Sequence, residues 1–117
     1  MDIVKAIADR RTELIDIMVA TADRSLPTPE SEVRQFMVGF VTLLEAAAAG
    51  NMNPRDEYLE TVIPAVRDGG ISLAYVMSAM PRLAVALGTV LGREHAPWIA
   101  NFLGEYTTHM LTVWERR

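Results

Sequence analysis

His95 and His109 are the two histidines of a 117-residue chain that has no cysteine. Thiolate chemistry and disulfides are therefore excluded, and imidazole is the remaining side chain that titrates near neutral pH. Histidine is the usual axial donor to haem. At helical spacing His109 falls on the same face as Phe102, Tyr106 and Val113, which makes His109, Tyr106 and Phe102 the candidate cofactor-contact residues. A globin, however, keeps two long helices after its proximal histidine, and less chain than that follows His95 or His109. The reading adopted is a partly buried histidine bonded to a neighbour, with no cofactor. Glu105 and His109 are four apart and share a face, but one such pair is not a metal site: di-iron bundles need two Glu-x-x-His motifs and two further glutamates. Glu57 and Glu60, one turn apart, read as a solvated face and not as a carboxylate pair for acid–base work. No phosphate-binding glycine loop and no nucleophile elbow occurs. The expectation is a non-enzyme with no catalytic residue and no bound metal.

Five methionines, Met18, Met37, Met77, Met80 and Met110, fall on or beside apolar stripes. Methionine fills irregular core gaps and also lines adaptable pockets. Core filling is the preferred reading, with an apolar ligand cavity as the sharper alternative and a small apolar molecule as its occupant.

Composition narrows the remaining classes. The net charge is −4, with acids and bases interspersed. No basic block exists beyond Arg10-Arg11 and Arg116-Arg117, and binding to DNA or RNA needs a clustered positive face. The opening MDIVKAIADRR is charged too early for a signal peptide. These features point to a single cytoplasmic domain, residues 1–117, with no membrane role.

The elements that must position these side chains are helical. Apolar residues recur with a period near 3.6, strict alternation is absent, and five helices with short connections are expected. Helix one spans about Asp2 to Arg24, with its stripe interrupted at Asp9, Arg10 and Arg11. "SLPTPE" ends it, and Thr28 is the expected N-cap of helix two, with Pro29 at its first position. Helix two carries Val33, Phe36, Met37, Phe40 and Leu44 and closes at Gly50. Asn53 is the expected cap of helix three, which holds Pro64. Gly69 or Gly70 ends it. Ser72 caps helix four, which runs to Leu91 and stops at Gly92. Helix five opens near "EHAPW" and carries Ile99, Phe102, Leu103, Tyr106, Met110, Val113 and Trp114. The expected fold is all-α, a five-helix globin-like or related bundle. Leu73, Met77, Met80, Leu87, Phe36, Phe40, Phe102 and Tyr106 are its expected core.

Helix four is unusual. Residues 69–92 carry a single charge, Arg82, and hold Pro81 in mid-helix. A membrane span would set Arg82 at the bilayer centre at a cost of about 2.5–3.5 kcal/mol. A helix apolar all round must otherwise be covered all round, either as a central core helix or with one side against a second copy. Ala79 and Ala86 on its back, with Trp98 and Trp114 of helix five, are the expected interface residues of a homodimer.

The segment "VRDGGISLAYVMSAMPRLAVALGTVL" resembles the N-terminal domains of RsbR-type stress regulators. In both, a helix ends in glycine, and Gly-Ile-Ser-Leu opens a long apolar helix with a basic residue in its middle. "RRTELIDIMVATA" and "VRQFMVGFVTLLEAA" are similar to the first helices of those domains, so the resemblance spans nearly the whole chain. It implies a haem-free globin-like fold, dimerisation, and a bacterial sensory role exercised through a regulatory protein partner. The family's domains precede an effector domain, so this chain reads as an excised domain or a stand-alone relative. The resemblance supplies no catalytic residue.

Overall fold

The computed structural model describes residues 2–22 and 28–116, and every element in it is helical. In chain order these are α1 (Ile3–Asp9), α2 (Arg11–Thr21), α3 (Glu30–Ala48), α4 (Asn53–Asp68), α5 (Leu73–Leu91), a 3₁₀ turn (Arg93–His95) and α6 (Ala96–Glu115). The fold is an all-α bundle, 41 × 27 × 19 Å in extent.

Helix one of the sequence reading is two helices. Asp2 caps α1, its Oδ1 accepting from the Lys5 N–H at 2.9 Å. At Arg10 the backbone leaves helical geometry (φ −114°, ψ 19°), and α2 starts at the next residue. The break falls where Asp9, Arg10 and Arg11 interrupt the apolar stripe, because a run of three charges leaves no continuous face to bury. Arg24, the expected end of helix one, lies outside the described residues.

The other boundaries follow local chemistry with small shifts. Thr28 does not cap α3: Pro29 takes the N-cap position without a side-chain bond. The first turn instead holds Glu30 and Glu32, which suit the helix dipole. Asn53 is the first residue of α4 and not its cap; its N–H is taken by Asn51 Oδ1 at 3.1 Å. Ser72 caps α5 as expected, accepting from the Tyr75 N–H at 3.1 Å. Between them Gly70, at φ 83°, lets the Ile71 N–H reach back to the Val66 carbonyl at 3.3 Å, a turn that a β-carbon would strain. Pro64 and Pro81 both sit inside helices that continue through them.

The core is one cluster drawn from every helix. Ile7, Leu14, Leu44, Leu59 and Leu87 are each fully enclosed, and such burial stabilises by roughly 1.5–3 kcal/mol per side chain. Phe40 stands edge-on to Phe102 and Tyr106, with ring centroids 6.2 and 5.6 Å away. Of the eight expected core residues, Leu87, Phe40, Phe102 and Tyr106 are buried, Leu73, Met77 and Met80 are half-buried, and Phe36 is 47% exposed.

The largest correction concerns α5. It is not a central helix covered on all sides: only 17% of its apolar window is buried. Ala86, Leu87, Val90 and Leu91 pack inward at its C-terminal end, and no residue before Ala86 is fully buried. α5 rests on α1, α2 and α6, and its first half stands off α3 and α4. By length and composition α5 matches a membrane span, yet it packs on three helices and carries Arg82 at its middle.

Candidate functional site

The space between the first half of α5 and the pair α3–α4 is a cleft of ≈ 370 Å³. Its walls are mostly apolar. α3 contributes Val33, Phe36, Met37 and Phe40, and α4 contributes Val62, Ile63 and Val66. Ile71, Val76, Ala79, Met80 and Leu83 face them from α5 and the turn before it. Met18 of α2 and Tyr106 and Met110 of α6 complete the lining. Four of the five methionines singled out in the sequence, Met18, Met37, Met80 and Met110, therefore line the cleft, while Met77 packs against the core. Met18 and Met110 are at the same time fully buried core side chains, as the core-filling reading expects, while Met37 and Met80 are half-buried at the cleft.

Two charged side chains reach the cleft, Glu32 of α3 and Arg82 of α5. Its other polar residues include Tyr106, whose side chain is 6% exposed. Burial pushes the Tyr106 hydroxyl well above the ordinary tyrosine value, so it stays protonated and able to donate. Behind it, the Tyr58 hydroxyl is fully buried with no hydrogen-bond partner. Burial first, and the neighbouring Tyr106 second, raise its pKa as well. Tyr58 also stands edge-on to Phe36 at a centroid distance of 5.6 Å.

A second, polar groove lies on the opposite side of α6, lined by Arg55, Glu105, His109 and small residues of α6. His109 is directed there and not into the apolar cleft. Its Nε2 lies 3.6 Å from Glu60 Oε1 and 3.9 Å from Asp56 Oδ1. Glu105 turns to a different partner, Arg55 Nη1 at 3.3 Å, so the Glu105–His109 pair does not converge. His95 is buried beside Glu94, whose Oε1 is 3.7 Å from its Nε2. Neither histidine lines the apolar cleft. Among the described residues no group of three His, Asp or Glu side chains converges to hold a metal ion.

Of the candidate cofactor-contact residues, only Tyr106 lines the cleft; Phe102 is buried in the core, where Trp98 stacks on it at 5.3 Å with rings 9° from parallel. No known protein family matches the chain, and no curated protein or solved structure is significantly similar to it. The four expected interface residues separate. Ala79 faces the cleft, and Ala86 is 2% exposed within the monomer. Ala86 thus has no surface to offer a second chain, because the helix turns it toward the core with Leu87 and Val90. Trp98 and Trp114 are half-buried, and the Trp114 carbonyl accepts from Arg67 Nη1 at 2.8 Å.

Periodicity along single helices does not place the cleft, although the residue types that line it are visible in the sequence. The usable signal was the pairing of Phe36 and Met37 on α3 with Val76 and Met80 on α5. Each belongs to an apolar stripe wider than a bundle helix needs for one neighbour.

Proposed function

We propose that this chain is a non-enzymatic sensory or regulatory domain of a bacterial cytoplasm that takes a small apolar ligand into the α3–α4–α5 cleft and relays its state through protein contacts. The methionine-lined cleft carries this reading. Its volume falls at the lower end of the range typical of small-molecule pockets. One of its walls, the first half of α5, has no fully buried residue before Ala86. Such a wall is held by few enclosed contacts and belongs to the low-stability part of a fold. A ligand that covers it favours whichever α5 position encloses the ligand, and shifts the population accordingly. The resemblance to RsbR-type N-terminal domains agrees with that role.

The test is titration with Nile red, a neutral dye whose emission moves to the blue in apolar surroundings. Wild-type protein is expected to bind it at micromolar concentration. Ala79→Trp puts an indole into the cleft from α5 and is expected to weaken binding by about tenfold or more, with an unchanged circular dichroism spectrum. Folded wild-type protein that leaves the dye in water would end the proposal.

A second reading, self-association, is favoured by the outer face of α5. Ala74, Ser78, Pro81 and Val85 form an exposed row at helical spacing with no charge, and Val85 is 69% exposed. Exposed apolar rows of this kind mark contact surfaces. Light scattering is expected to give a dimer for the wild type and a folded monomer for Val85→Glu. A monomeric wild type would refute it.

A further inference from the structure

We infer that the ligand of the cleft is an amphipathic anion, an apolar body with one carboxylate that pairs with the Arg82 guanidinium. The inference rests on the cleft being a ligand site, and it adds the headgroup of the ligand. Arg82 is the one charge in residues 69–92. Helical spacing sets it in a row with Tyr75, Ala79 and Ala86, at i, i+4, i+7 and i+11. Tyr75, Ala79 and Arg82 line the cleft, and Ala86 continues the row into the core. The exposed row of Ser78, Pro81 and Val85 is a different one. The single cation of α5 therefore stands on the side that faces the cleft.

Pairing separates Arg82 from the other arginines. Arg11, Arg55 and Arg67 are half-buried as Arg82 is, and each has an acceptor: Glu45 for Arg11, Asp56 and Glu105 for Arg55, and the Trp114 carbonyl for Arg67. Among the half-buried arginines of the described residues, Arg82 alone has none. A guanidinium is always charged and carries five donors in a planar fork. A half-buried one gains from an acceptor, and a carboxylate meets the fork with two parallel hydrogen bonds. Glu32, the other charged residue of the lining, opposes an anion, but it is exposed. Water and salt screen an exposed charge more than a half-buried one, so Arg82 outweighs Glu32 for a ligand seated between the helices. The apolar walls, with Met37 on one side and Val76, Met80 and Leu83 on the other, take the body of the ligand.

Three compounds with one straight chain separate the possibilities by displacement of Nile red at neutral pH, below the concentrations at which they form micelles. Decanoate carries the anion, decanol is neutral, and decylamine carries a cation. Decanoate is expected to bind about tenfold more tightly than decanol, the worth of a charge-assisted hydrogen bond, and more tightly than decylamine. Arg82→Gln is expected to bring decanoate down to the affinity of decanol and to leave decanol and Nile red unchanged. Its circular dichroism spectrum is expected to match wild type, because Arg82 has no partner in the fold to lose. Arg82→Lys, which keeps the charge without the fork, is expected to keep part of the preference for decanoate. Glu32→Gln is expected to leave the order of the three compounds as it is. Equal affinity for decanoate and decanol in wild type overturns the inference while leaving the cleft a ligand site. So does a preference for decanoate that survives in Arg82→Gln, which places the anion elsewhere. Tightest binding of decylamine with loss in Glu32→Gln also overturns it and assigns recognition to the carboxylate. Failure of Nile red and all three compounds to bind removes the ligand site itself.

Discussion

Ala86→Glu is expected to unfold the protein, and Val85→Glu, one residue earlier on the same helix, is expected to leave it folded. Ala86 is 2% exposed and lies among Leu87, Val90 and Leu91, which anchor α5 to the rest of the bundle. Among the described residues no cation is buried beside them: the buried set is apolar apart from His95. A carboxylate forced into that space loses its hydration without a partner, which costs at least several kcal/mol, and it must also displace well-packed neighbours. Domains of this size are stable by only about 5–15 kcal/mol. Val85 is 69% exposed, because one residue is a rotation of about 100° around the helix. The expected result is loss of the helical circular dichroism signal, or of a cooperative thermal transition, for Ala86→Glu alone. A folded Ala86→Glu protein with the stability of wild type would show that α5 does not pack through this residue.

Alkaline pH is expected to destabilise the fold steeply, and two tyrosines are expected to account for most of the slope. Burial raises the Tyr58 and Tyr106 hydroxyls above the ordinary value of 10.0. The sign follows from comparing the two states. Below about pH 10 both tyrosines are neutral whether the chain is folded or not, and their contribution to stability is fully present. Above it the unfolded chain ionises them and the folded chain does not, so unfolding becomes more favourable as pH rises. Each group removes about 1 kcal/mol between pH 10 and pH 11, where the unfolded phenol goes from half to mostly ionised, so the pair removes about 2 kcal/mol across that unit. Arginines keep their charge in that range, and Lys5 is exposed on α1. Urea unfolding between about pH 9 and pH 11 is the measurement. The double variant Tyr58→Phe, Tyr106→Phe is expected to flatten the dependence. An equally steep loss in that variant would place the alkaline sensitivity elsewhere.

The helices were legible because helix ends are local chemistry. Ser72 accepts the Tyr75 N–H, Gly92 at φ 93° stops α5, and Pro97 falls in the first turn of α6. Each depends on residues three or four apart. Errors of one or two positions arose where two neighbours compete for the same bond. Asn51 and not Asn53 supplies the capping oxygen of α4, and Pro29 displaces Thr28 at the start of α3. The break at Arg10 was visible as an interrupted stripe but not as a second helix. Charged residues tolerate a helix interior, and only packing makes the chain turn there.

The candidate site was legible in its materials. The methionines and Tyr106 were recognised as residues able to line an apolar pocket, and four methionines and Tyr106 do so. His109, placed by periodicity on the Tyr106 face, belongs to the polar groove beside Asp56 and Glu60. One helical turn separates the two residues, yet Tyr106 meets Phe40 of α3 while His109 meets Asp56 and Glu60 of α4, neighbours that a wheel drawn on a single helix does not contain.

The sequence by itself determined that this chain is helical, where its helices stop, and that one of them is apolar around most of its circumference. Those properties come from backbone hydrogen bonding, turn residues and periodicity within a few residues of each other. Tertiary structure alone decided which apolar residues meet protein and which face open space. Phe36 and Phe40 have the same chemistry on the same stripe, yet one is 47% exposed and the other 3%. The difference arises because α5 converges on the bundle through Ala86 and Leu87 and diverges from α3 and α4 before them. That angle is the sum of packing choices made by several helices at once. Burial is therefore a property of the assembled bundle, while apolarity is a property of the residue, and the cleft exists in the gap between the two.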